Sequence, residues 1–371
     1  MSLSIIIVNY KSTQLVLDCL AMIDQDPSAR DFELIVVDNA SGGDPRKPIL
    51  ATFSRVIWIQ MEYNSGFARA NNEGIRRSTG ETVLLLNSDT LPPAGMIAAC
   101  YHGLLQSDYV AAGVQLSNAD GTPQISGNYF MKGGLNYLLP LPYMGKAIKW
   151  MGERLNVKKP HVPNGAVVSP NQGNSAFSTS GSTSVLAVSS GSGTSSVAVA
   201  PTGPVIEVDW INGAFLMVKK SAIDTAGLMD EDFFLYAEEA EWCGRLRKTG
   251  KLCLFGSLTV VHLQGETANQ EFGSAGKGYY NLYDRKGLQI MLSNFVRIRK
   301  QFGVAWFLVQ LFFYLLEIPV FFTGVLLSVL FVRKQDRYSF IQFINYCKNT
   351  GFLLGKSALI IRNKPYFYKV L

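Results

Sequence analysis

Two carboxylates of this 371-residue chain stand directly behind apolar runs, where a side chain can act on a ligand. Asp38 follows one run, and a carboxylate, which only accepts hydrogen bonds, could bind the imide N–H of uracil or thymine. Asp89 ends the tripeptide Asn87-Ser88-Asp89 behind another run. A hard carboxylate suits Mg²⁺ or Mn²⁺, which would also bind diphosphate oxygens. An Asx turn is the alternative explanation of the polar residues around Asp38.

A further acidic group lies among aromatic rings, where residues 233–242 read FFLYAEEAEW. Adjacent like charges beside apolar rings raise a carboxyl pKa, which is the condition that a general base exploits. Glu239 is therefore the candidate base, with Glu238 beside it, and a solvated acidic helix start is the alternative. His262 ends an apolar run 23 residues after Glu239 and could ligate the same metal as Asp89.

Two more segments combine glycine with polar or aromatic residues. Residues 64–74 read NSGFARANNEG and are predicted to open a helix, whose N-terminus could receive phosphate while Arg69 adds a cation. Ordinary capping by Asn64 or Ser65 would explain the same pattern. Residues 210–218 read WINGAFLMV, which fits a strand that begins against a flat ring or a sugar, with core packing as the alternative.

Short apolar runs alternate with helical patterns over the first 115 residues. This alternation predicts a mainly parallel α/β sheet, and such sheets bind ligands beyond the carboxyl ends of their strands. The polar clusters at residues 9–10, 38–41 and 87–89 fall at those ends. In this region, strands are predicted at residues 3–8, 32–37, 55–60 and 82–86, and helices at 14–22 and 68–78. Later in the chain, strands are predicted at residues 209–219 and 251–261, and helices at 221–227 and up to about 249.

The middle of the chain has a different composition. Residues 160–206 contain no Asp, Glu, Lys or Arg, and 19 of the 31 residues at 173–203 are Gly, Ser or Thr. Such a segment buries too little apolar surface to order itself, so a flexible low-complexity insertion is predicted over residues 165–206. Its small apolar runs at 185–188 and 197–200 could pair as an edge hairpin.

Charge divides the chain unevenly. Residues 1–284 hold 21 Lys/Arg and 26 Asp/Glu, whereas residues 285–371 hold 13 and 2, so net charges of −5 and +11 sum to +6. This distribution argues against a globally basic nucleic-acid binder and favours a basic tail with a local partner. Five scattered cysteines without metal-type spacing argue against a disulfide scaffold or a zinc module and fit a reducing compartment.

An apolar run within this tail is long enough to meet a membrane. Residues 304–332 carry one charge, Glu317, and are interrupted by Pro319 and Gly324. Basic residues flank the run on both sides, namely Arg297, Arg299 and Lys300 before it and Arg333, Lys334 and Arg337 after it. Symmetric basic flanks favour a re-entrant hairpin or two interfacial helices with both ends cytoplasmic. A single bilayer span and a buried helical pair of a soluble core are the alternatives.

In order and spacing, these motifs resemble family 2 glycosyltransferases of the GT-A fold, and among them bacterial rhamnosyltransferase-type enzymes of cell-surface polysaccharide assembly. The resemblance covers residues 3–165 and 205–290. It implies an α/β GT-A domain with a Rossmann-like mixed sheet over residues 1–290, followed by a basic, apolar, membrane-associated helical tail over residues 291–371. Asn87 and Glu239 depart from the family pattern, because many members have Asp at both positions.

The resemblance also implies roles for residues. Asp38 would bind the nucleobase, Asp89 and His262 would bind Mg²⁺ or Mn²⁺, and Glu239, next to Glu238, would be the catalytic base. The nucleotide-sugar contacts would come from Asn9, Tyr10, Asp38, Asn64, Gly66, Phe67, Arg69, Asn71 and Ser88. Contacts to the acceptor or the sugar would come from Trp210, Asn212 and Gly213.

The implied reaction is inverting transfer of one sugar from a nucleoside diphosphate sugar, of the dTDP-rhamnose or UDP-sugar type. The acceptor would be a saccharide or a lipid-linked molecule at the cytoplasmic face of the bacterial inner membrane, with no nucleic-acid partner. No Gln-x-x-Arg-Trp motif of processive synthases occurs in the chain, which favours single-sugar addition. A polyprenyl-phosphate sugar synthase and a catalytically inactive membrane scaffold are the alternatives.

Overall fold

The N-terminal half of the chain alternates strands and helices, as the sequence predicts. The computed structural model describes residues 2–154, 201, 203–264, 266–274, 280–331 and 337–370. The strands and helices of this half are β1 (Leu3–Asn9), α1 (Thr13–Asp24), β2 (Glu33–Asp38), α2 (Arg46–Thr52), β3 (Ile57–Gln60), α3 (Gly66–Arg77), β4 (Thr82–Asn87), β5 (Thr90–Leu91), α4 (Met96–Leu105), β6 (Ala111–Ser117) and β7 (Gly127–Asn128). All six elements predicted over residues 3–86 are confirmed, with small shifts at their ends.

The remainder of the described chain contributes four more strands, three of them in the main sheet, and most of the helices. They are α5 (Met144–Arg154), β8 (Val205–Val208), β9 (Trp210–Ile211), β10 (Phe215–Lys219), α6 (Lys220–Ala226), α7 (Glu238–Leu246), β11 (Leu252–His262), α8 (Glu266–Phe272), α9 (Arg285–Phe302), α10 (Val304–Phe331) and α11 (Phe340–Arg362). The strand predicted at residues 209–219 is broken into β9 and β10. The Asn212 side chain accepts a hydrogen bond from the Ala214 amide and makes a turn between them. The predicted insertion lies almost wholly outside the described residues, as do both runs of its proposed hairpin.

The main sheet is mixed, with the order β3-β2-β1-β4-β10-β6-β11-β5 and β8 paired to β11. Strands β1 to β4 pair in parallel, and so do β6 and β11, whereas β10 is antiparallel to both β4 and β6. The sheet is therefore less parallel than the strand–helix alternation predicts, because β10 enters between two parallel groups. The predicted α/β class and GT-A type of mixed sheet are confirmed.

Both faces of the sheet are buried, which explains the continuous apolar strands. In β1, Ile5 and Ile7 belong to one core cluster and Ile6 to the cluster on the opposite face. Burying each such side chain stabilises the fold by about 1.5–3 kcal/mol. The register aligns the strand ends, since Asn9 pairs with Asp38 and Val8 pairs with Asn87. The polar residues that follow these strands are thereby brought to one edge of the sheet.

Helices α9, α10 and α11 pack against the α/β domain through a third core cluster. This cluster combines Phe233 and Ala237, which precede α7, with Phe295, Phe307 and Tyr346 of the three helices. The domain boundary predicted at residue 290 falls inside α9. After α11, the chain returns to the α/β domain, where the Tyr368 amide donates to the Asp232 carbonyl.

The hairpin or pair of helices predicted within residues 304–332 is wrong, because α10 is one continuous helix over Val304–Phe331 with Pro319 inside it. A proline in a helix removes one backbone hydrogen bond and crowds the preceding turn. Packing of α10 against α9 and α11 outweighs this cost. Within the described residues, one stretch, Val304–Ser328, is long and apolar enough to cross a membrane, and core helices of soluble proteins pass the same test.

Candidate active site

A cavity opens at the carboxyl edge of the sheet, beside the ends of β1, β2 and β4. Helix α3 begins at its wall, and α8 covers another side. Six residues proposed from the sequence line it, namely Tyr10, Asn64, Gly66, Phe67, Ser88 and Asp89. Its other lining residues include Ser12, Asn39, Asn87, Phe234 and Leu235, together with Thr267, Glu271 and Phe272 of α8.

Asp89 and His262 meet at this cavity. Strand β11 runs antiparallel to β5, so that His262 pairs with Thr90. The His262 side chain therefore reaches Asp89, the residue before Thr90. The imidazole Nε2 lies 3.3 Å from Asp89 Oδ1 and 3.4 Å from Asn87 Nδ2. Two ligands of one octahedral ion at about 2.1 Å would lie about 3 Å apart, so this spacing fits a shared divalent cation.

The pair would not enclose a metal by itself. Over the described ranges, no group of three or more His, Cys, Asp and Glu side chains is arranged to hold a metal. A bound ion would therefore take Asp89 and His262 from the protein and complete its coordination with water and ligand oxygens, which is the usual behaviour of Mg²⁺.

Asp38 lies beneath the cavity wall and does not line it. Its carboxylate accepts hydrogen bonds from Asn9 Nδ2 (2.8 Å), Ser41 Oγ (2.5 Å), the Ser41 amide (3.2 Å) and Gln60 Nε2 (2.7 Å). Asn9 is also buried, and its Oδ1 accepts from Ser12. In this arrangement Asp38 ties the ends of β1, β2 and β3 together. A nucleobase would reach the Asp38 carboxylate by displacing Gln60 or Ser41.

Asn39 organises the wall next to Asp38. Its amide nitrogen donates to Asn64 Oδ1 (3.1 Å), and its oxygen accepts from the Ser65 amide (2.9 Å). Gly66 follows with a φ of +79°, and a Cβ there would lie 2.1 Å from the Phe234 carbonyl oxygen. Only glycine allows this approach, which brings the start of α3 against the segment that precedes α7.

Arg69 and Asn71 are not brought to the cavity. The Arg69 guanidinium stacks 4.0 Å from the ring centroid of Phe367 and donates to the Glu231 carbonyl and to Tyr63. It therefore fastens the C-terminal segment to α3. Asn71 is buried and donates to the Phe67 carbonyl within α3.

Glu238 and Glu239 begin α7 behind a strained turn. Tyr236 and Ala237 both have positive φ angles, of 72° and 68°. Such conformations persist where the surrounding structure enforces them, and they cluster at functional sites. Glu238 is 3% exposed, and its Oε2 has no hydrogen-bond partner within the described part of the chain.

The two carboxylates differ in their electrostatic surroundings. Burial raises the pKa of Glu238 well above its usual value, and the charge of Glu239 raises it further. Burial also raises the pKa of Glu239, but backbone hydrogen bonding and the Arg297 guanidinium oppose that effect. Glu239 is the member of the pair with a nearby cation, which favours its ionised form.

The three residues proposed to contact acceptor or sugar have different environments. Trp210 lies in β9 opposite Asn128 of β7 and is half-buried. Asn212 donates to the Ile125 carbonyl and holds the turn before β10. Gly213 is closest to the chemistry, because a Cβ there would lie 3.4 Å from the Phe67 ring and 3.5 Å from Glu239 Cβ. It therefore connects the cavity wall to the candidate base.

The sequence analysis does not identify two contributors to the candidate site, namely helix α8 with its Glu271, and Arg297. Helix α8 lines the cavity, and its Glu271 accepts hydrogen bonds from Tyr10 (3.0 Å) and Lys11 (2.7 Å). Arg297, read as part of a basic membrane flank, is 3% exposed and donates to the Tyr137 hydroxyl. No sequence motif indicates the role of Glu271. The burial of Arg297, by contrast, could have been predicted from the apolar periodicity of α9 around it.

Parts of this chain are similar in sequence to known glycosyltransferases. Residues 4–165 match the family model described as "Glycosyl transferase family 2". The chain is 25% identical over 255 residues to the low-salt glycan biosynthesis hexosyltransferase Agl10 of Haloferax volcanii, covering 66% of this chain and 62% of that protein. It is 24% identical over 131 residues to the glycosyltransferase GlyG of Streptococcus pneumoniae, covering 34% and 42%. The chain thus spans less than two thirds of the length of these relatives.

Among solved structures, the mannosyltransferase PcManGT of Pyrobaculum calidifontis, in complex with GDP-Man and Mn²⁺, aligns with a TM-score of 0.45. The sequence identity is 13%, and the alignment covers 97% of this chain and 87% of that chain.

Proposed function

We propose that this protein is an inverting glycosyltransferase for a single sugar, and the match of residues 4–165 to the family model described as "Glycosyl transferase family 2" supports this proposal. The donor is a nucleoside diphosphate sugar of the dTDP-rhamnose or UDP-sugar type, and the acceptor is a saccharide or a lipid-linked molecule. The observation that carries the proposal is the 3.3 Å pairing of Asp89 with His262 beside the cavity. Names of relatives that refer to glycan biosynthesis and hexosyl transfer support the same class.

The chemical step needs one base, and Glu239 takes this role. As the acceptor hydroxyl oxygen bonds to the anomeric carbon, Glu239 accepts its proton, and the bond from that carbon to the diphosphate oxygen breaks with inversion. Gly213 lies between Phe67 of the cavity wall and Glu239, since a Cβ at Gly213 would be 3.4 Å from the Phe67 ring and 3.5 Å from Glu239 Cβ, and this proximity supports the assignment. Burial and the charge of Glu239 raise the pKa of Glu238, which favours its neutral form and so limits like-charge repulsion within the pair.

Donor binding uses the polar edge of the sheet. Tyr10, Asn39 and Ser88 face the cavity, while Asn9 and Asp38 hold the strand ends beneath it. Asp89 and His262 would hold Mg²⁺ or Mn²⁺, which would offset the charge that develops on the departing diphosphate. Arg69 stacks on Phe367 and keeps the C-terminal segment against α3.

The exposed apolar faces of α10 and α11 are the proposed membrane contact, at the cytoplasmic face of the bacterial inner membrane. One side of each helix packs in the third core cluster, and the other is exposed. The exposed side chains are Leu308, Phe312, Leu316, Phe322, Leu326 and Leu327 of α10 with Phe340, Ile341, Ile344, Phe352 and Leu354 of α11. Together with the net charge of +11 over residues 285–371, this surface suits an anionic bilayer.

The same surface keeps a polyprenyl-phosphate sugar synthase as a second candidate, since a lipid phosphate would also be reached from the bilayer.

The test is to incubate the full chain with a panel of nucleotide sugars and either a lipid phosphate or a lipid-linked saccharide. Released nucleoside diphosphate and labelled product are measured with Mg²⁺, Mn²⁺ or excess chelator, and Asp89→Ala serves as the inactive control. Transfer to the saccharide supports the proposal. Transfer to lipid phosphate alone favours the synthase, and no transfer from any donor leaves an inactive scaffold.

A further inference from the structure

The second ring nitrogen of His262 is held by a glutamine that no motif marks. Gln124 Oε1 lies 2.8 Å from His262 Nδ1. The amide nitrogen of the same side chain lies 2.6 Å from the His262 carbonyl oxygen and 2.8 Å from Asn118 Oδ1. A carbonyl oxygen can only accept, so the Gln124 nitrogen must face it and Gln124 Oε1 must face the ring.

This orientation decides the tautomer of the imidazole. Because Gln124 Oε1 is an acceptor, Nδ1 carries the proton that it donates, and in the neutral ring Nε2 then keeps its lone pair, toward which the donor Asn87 Nδ2 points at 3.4 Å. Nε2 points at Asp89 Oδ1, 3.3 Å away. Two acceptor atoms thus face each other at the distance between neighbouring ligands of one cation.

We propose that Gln124 is a positioning residue that holds His262 as the Nδ1–H tautomer, so that His262 Nε2 and Asp89 form a paired ligand set for a divalent cation. The inference rests on the metal site of the proposed function and adds the residue that prepares it. Such outer contacts fix the ring orientation of a ligating histidine, and their loss commonly weakens metal binding by about 10–100-fold.

Gln124 is itself held firmly, as a positioning residue must be. It is 7% exposed, its backbone amide donates to the Leu116 carbonyl (2.8 Å), and its carbonyl accepts from Gln115 Nε2 (3.0 Å). A turn closed by the Asn118 amide and the Thr122 carbonyl (2.8 Å) leads the chain from β6 back to Gln124. Strand β11 pairs with β6, so His262 lies across from this turn.

The test compares Gln124→Met, which keeps the length of the side chain but removes the amide, with Gln115→Met. Gln115 is a buried amide of β6, close to this turn, that donates to Leu116, Gln124 and Ser126 and to neither proposed ligand. Gln124→Asn, which is one methylene too short to reach the ring, is a second variant. The affinity for Mn²⁺ alone is measured by electron paramagnetic resonance, and thermal melting checks that each variant is folded.

A second readout follows the tautomer directly and needs no activity. The chain has three histidines, so ring ¹⁵N spectra of histidine-labelled protein resolve His262 after assignment with a His262→Gln variant. The wild type should show a protonated Nδ1, and both Gln124 variants should lose that pattern and bind Mn²⁺ about 10–100-fold more weakly. Gln115→Met should keep both.

Three results with the variants would overturn the inference. They are an unchanged tautomer in Gln124→Met, unchanged Mn²⁺ affinity in both Gln124 variants, or an equal loss in Gln115→Met. Mn²⁺ binding by a wild type that transfers no sugar would refute the proposed function while leaving the role of Gln124 intact. A wild type that binds no Mn²⁺ would refute the metal site and this inference together.

Discussion

The carboxylate of Glu317, in the middle of α10, accepts a hydrogen bond from the backbone amide of Met144 at 2.9 Å. Its other oxygen accepts from the Tyr143 amide at 2.8 Å. Met144 begins α5, and the first amides of a helix lack partners inside it and form its positive end. Glu317 is fully buried, so the single charge of the apolar run is a cap that joins α5 to α10.

Glu317→Ala should destabilise the protein by about 1–3 kcal/mol, because two partly buried amides lose their acceptor. Glu317→Gln keeps one acceptor oxygen and should lose less. Urea unfolding measures both, and Glu62→Ala, which removes an exposed carboxylate, is the control with little effect. Equal stability of Glu317→Ala and the wild type would exclude the capping role.

Glu239→Gln should retain nucleotide-sugar binding and lose transfer by about 10²–10⁴-fold, because the side chain keeps its shape but accepts no proton. Binding is measured by calorimetry and transfer by release of nucleoside diphosphate. Glu238→Gln is the matched control and should lose much less, since Glu238 already favours the neutral form. The reverse order of losses would assign the base to Glu238.

The pH dependence of transfer should report the surroundings of Glu239. The base must be ionised, and burial raises its pKa, so activity should fall on the acid side at a pH above the usual carboxyl range. Arg297 lowers that pKa, so Arg297→Met should move the acid limb of kcat/KM to higher pH, whereas Arg297→Lys should keep it nearly in place. If the acid limb of kcat/KM in Arg297→Met does not shift, or shifts to lower pH, Glu239 is ruled out as the titrating base.

Gly66→Ala should destabilise the fold more than Gly42→Ala. Both glycines have φ near +78°, within 1°, so each substitution costs about 1–2 kcal/mol for the left-handed backbone. At Gly66 the new Cβ would also meet the Phe234 carbonyl at 2.1 Å, whereas nothing lies within 4 Å at Gly42. Overpacking should add about 1–3 kcal/mol, measured by urea unfolding, and equal losses at the two positions would contradict this contact.

Replacing Leu326 and Leu327 together by Glu should abolish binding to vesicles of anionic phospholipid while leaving nucleotide-sugar binding intact. These side chains are 53% and 55% exposed, so the change places charge in the proposed lipid contact without opening the core. Ile57→Glu, at a 42% exposed position on the edge strand β3, is the control and should still bind vesicles. Vesicle flotation measures the effect, and retention of the double variant would place the membrane contact elsewhere.

The sequence determined the elements that rest on local pattern. Apolar runs such as residues 3–8 and 82–86 can only be strands buried on both faces, and the polar residues behind them must then share one edge. Tyr10 and Asp89 could be placed at the cavity in this way, and His262 could be paired with Asp89 through the end of a late strand.

Long-range contacts decided the remaining features, because the local sequence around a side chain does not specify its partner elsewhere in the chain. Arg69 and Arg297 look alike as surface cations in the sequence, yet one stacks on Phe367 and the other is buried near Glu239. Pro319 reads as a break, but packing on both sides keeps α10 continuous. Gln124 has no sequence signal at all, since its role arises only when the turn after β6 meets the end of β11.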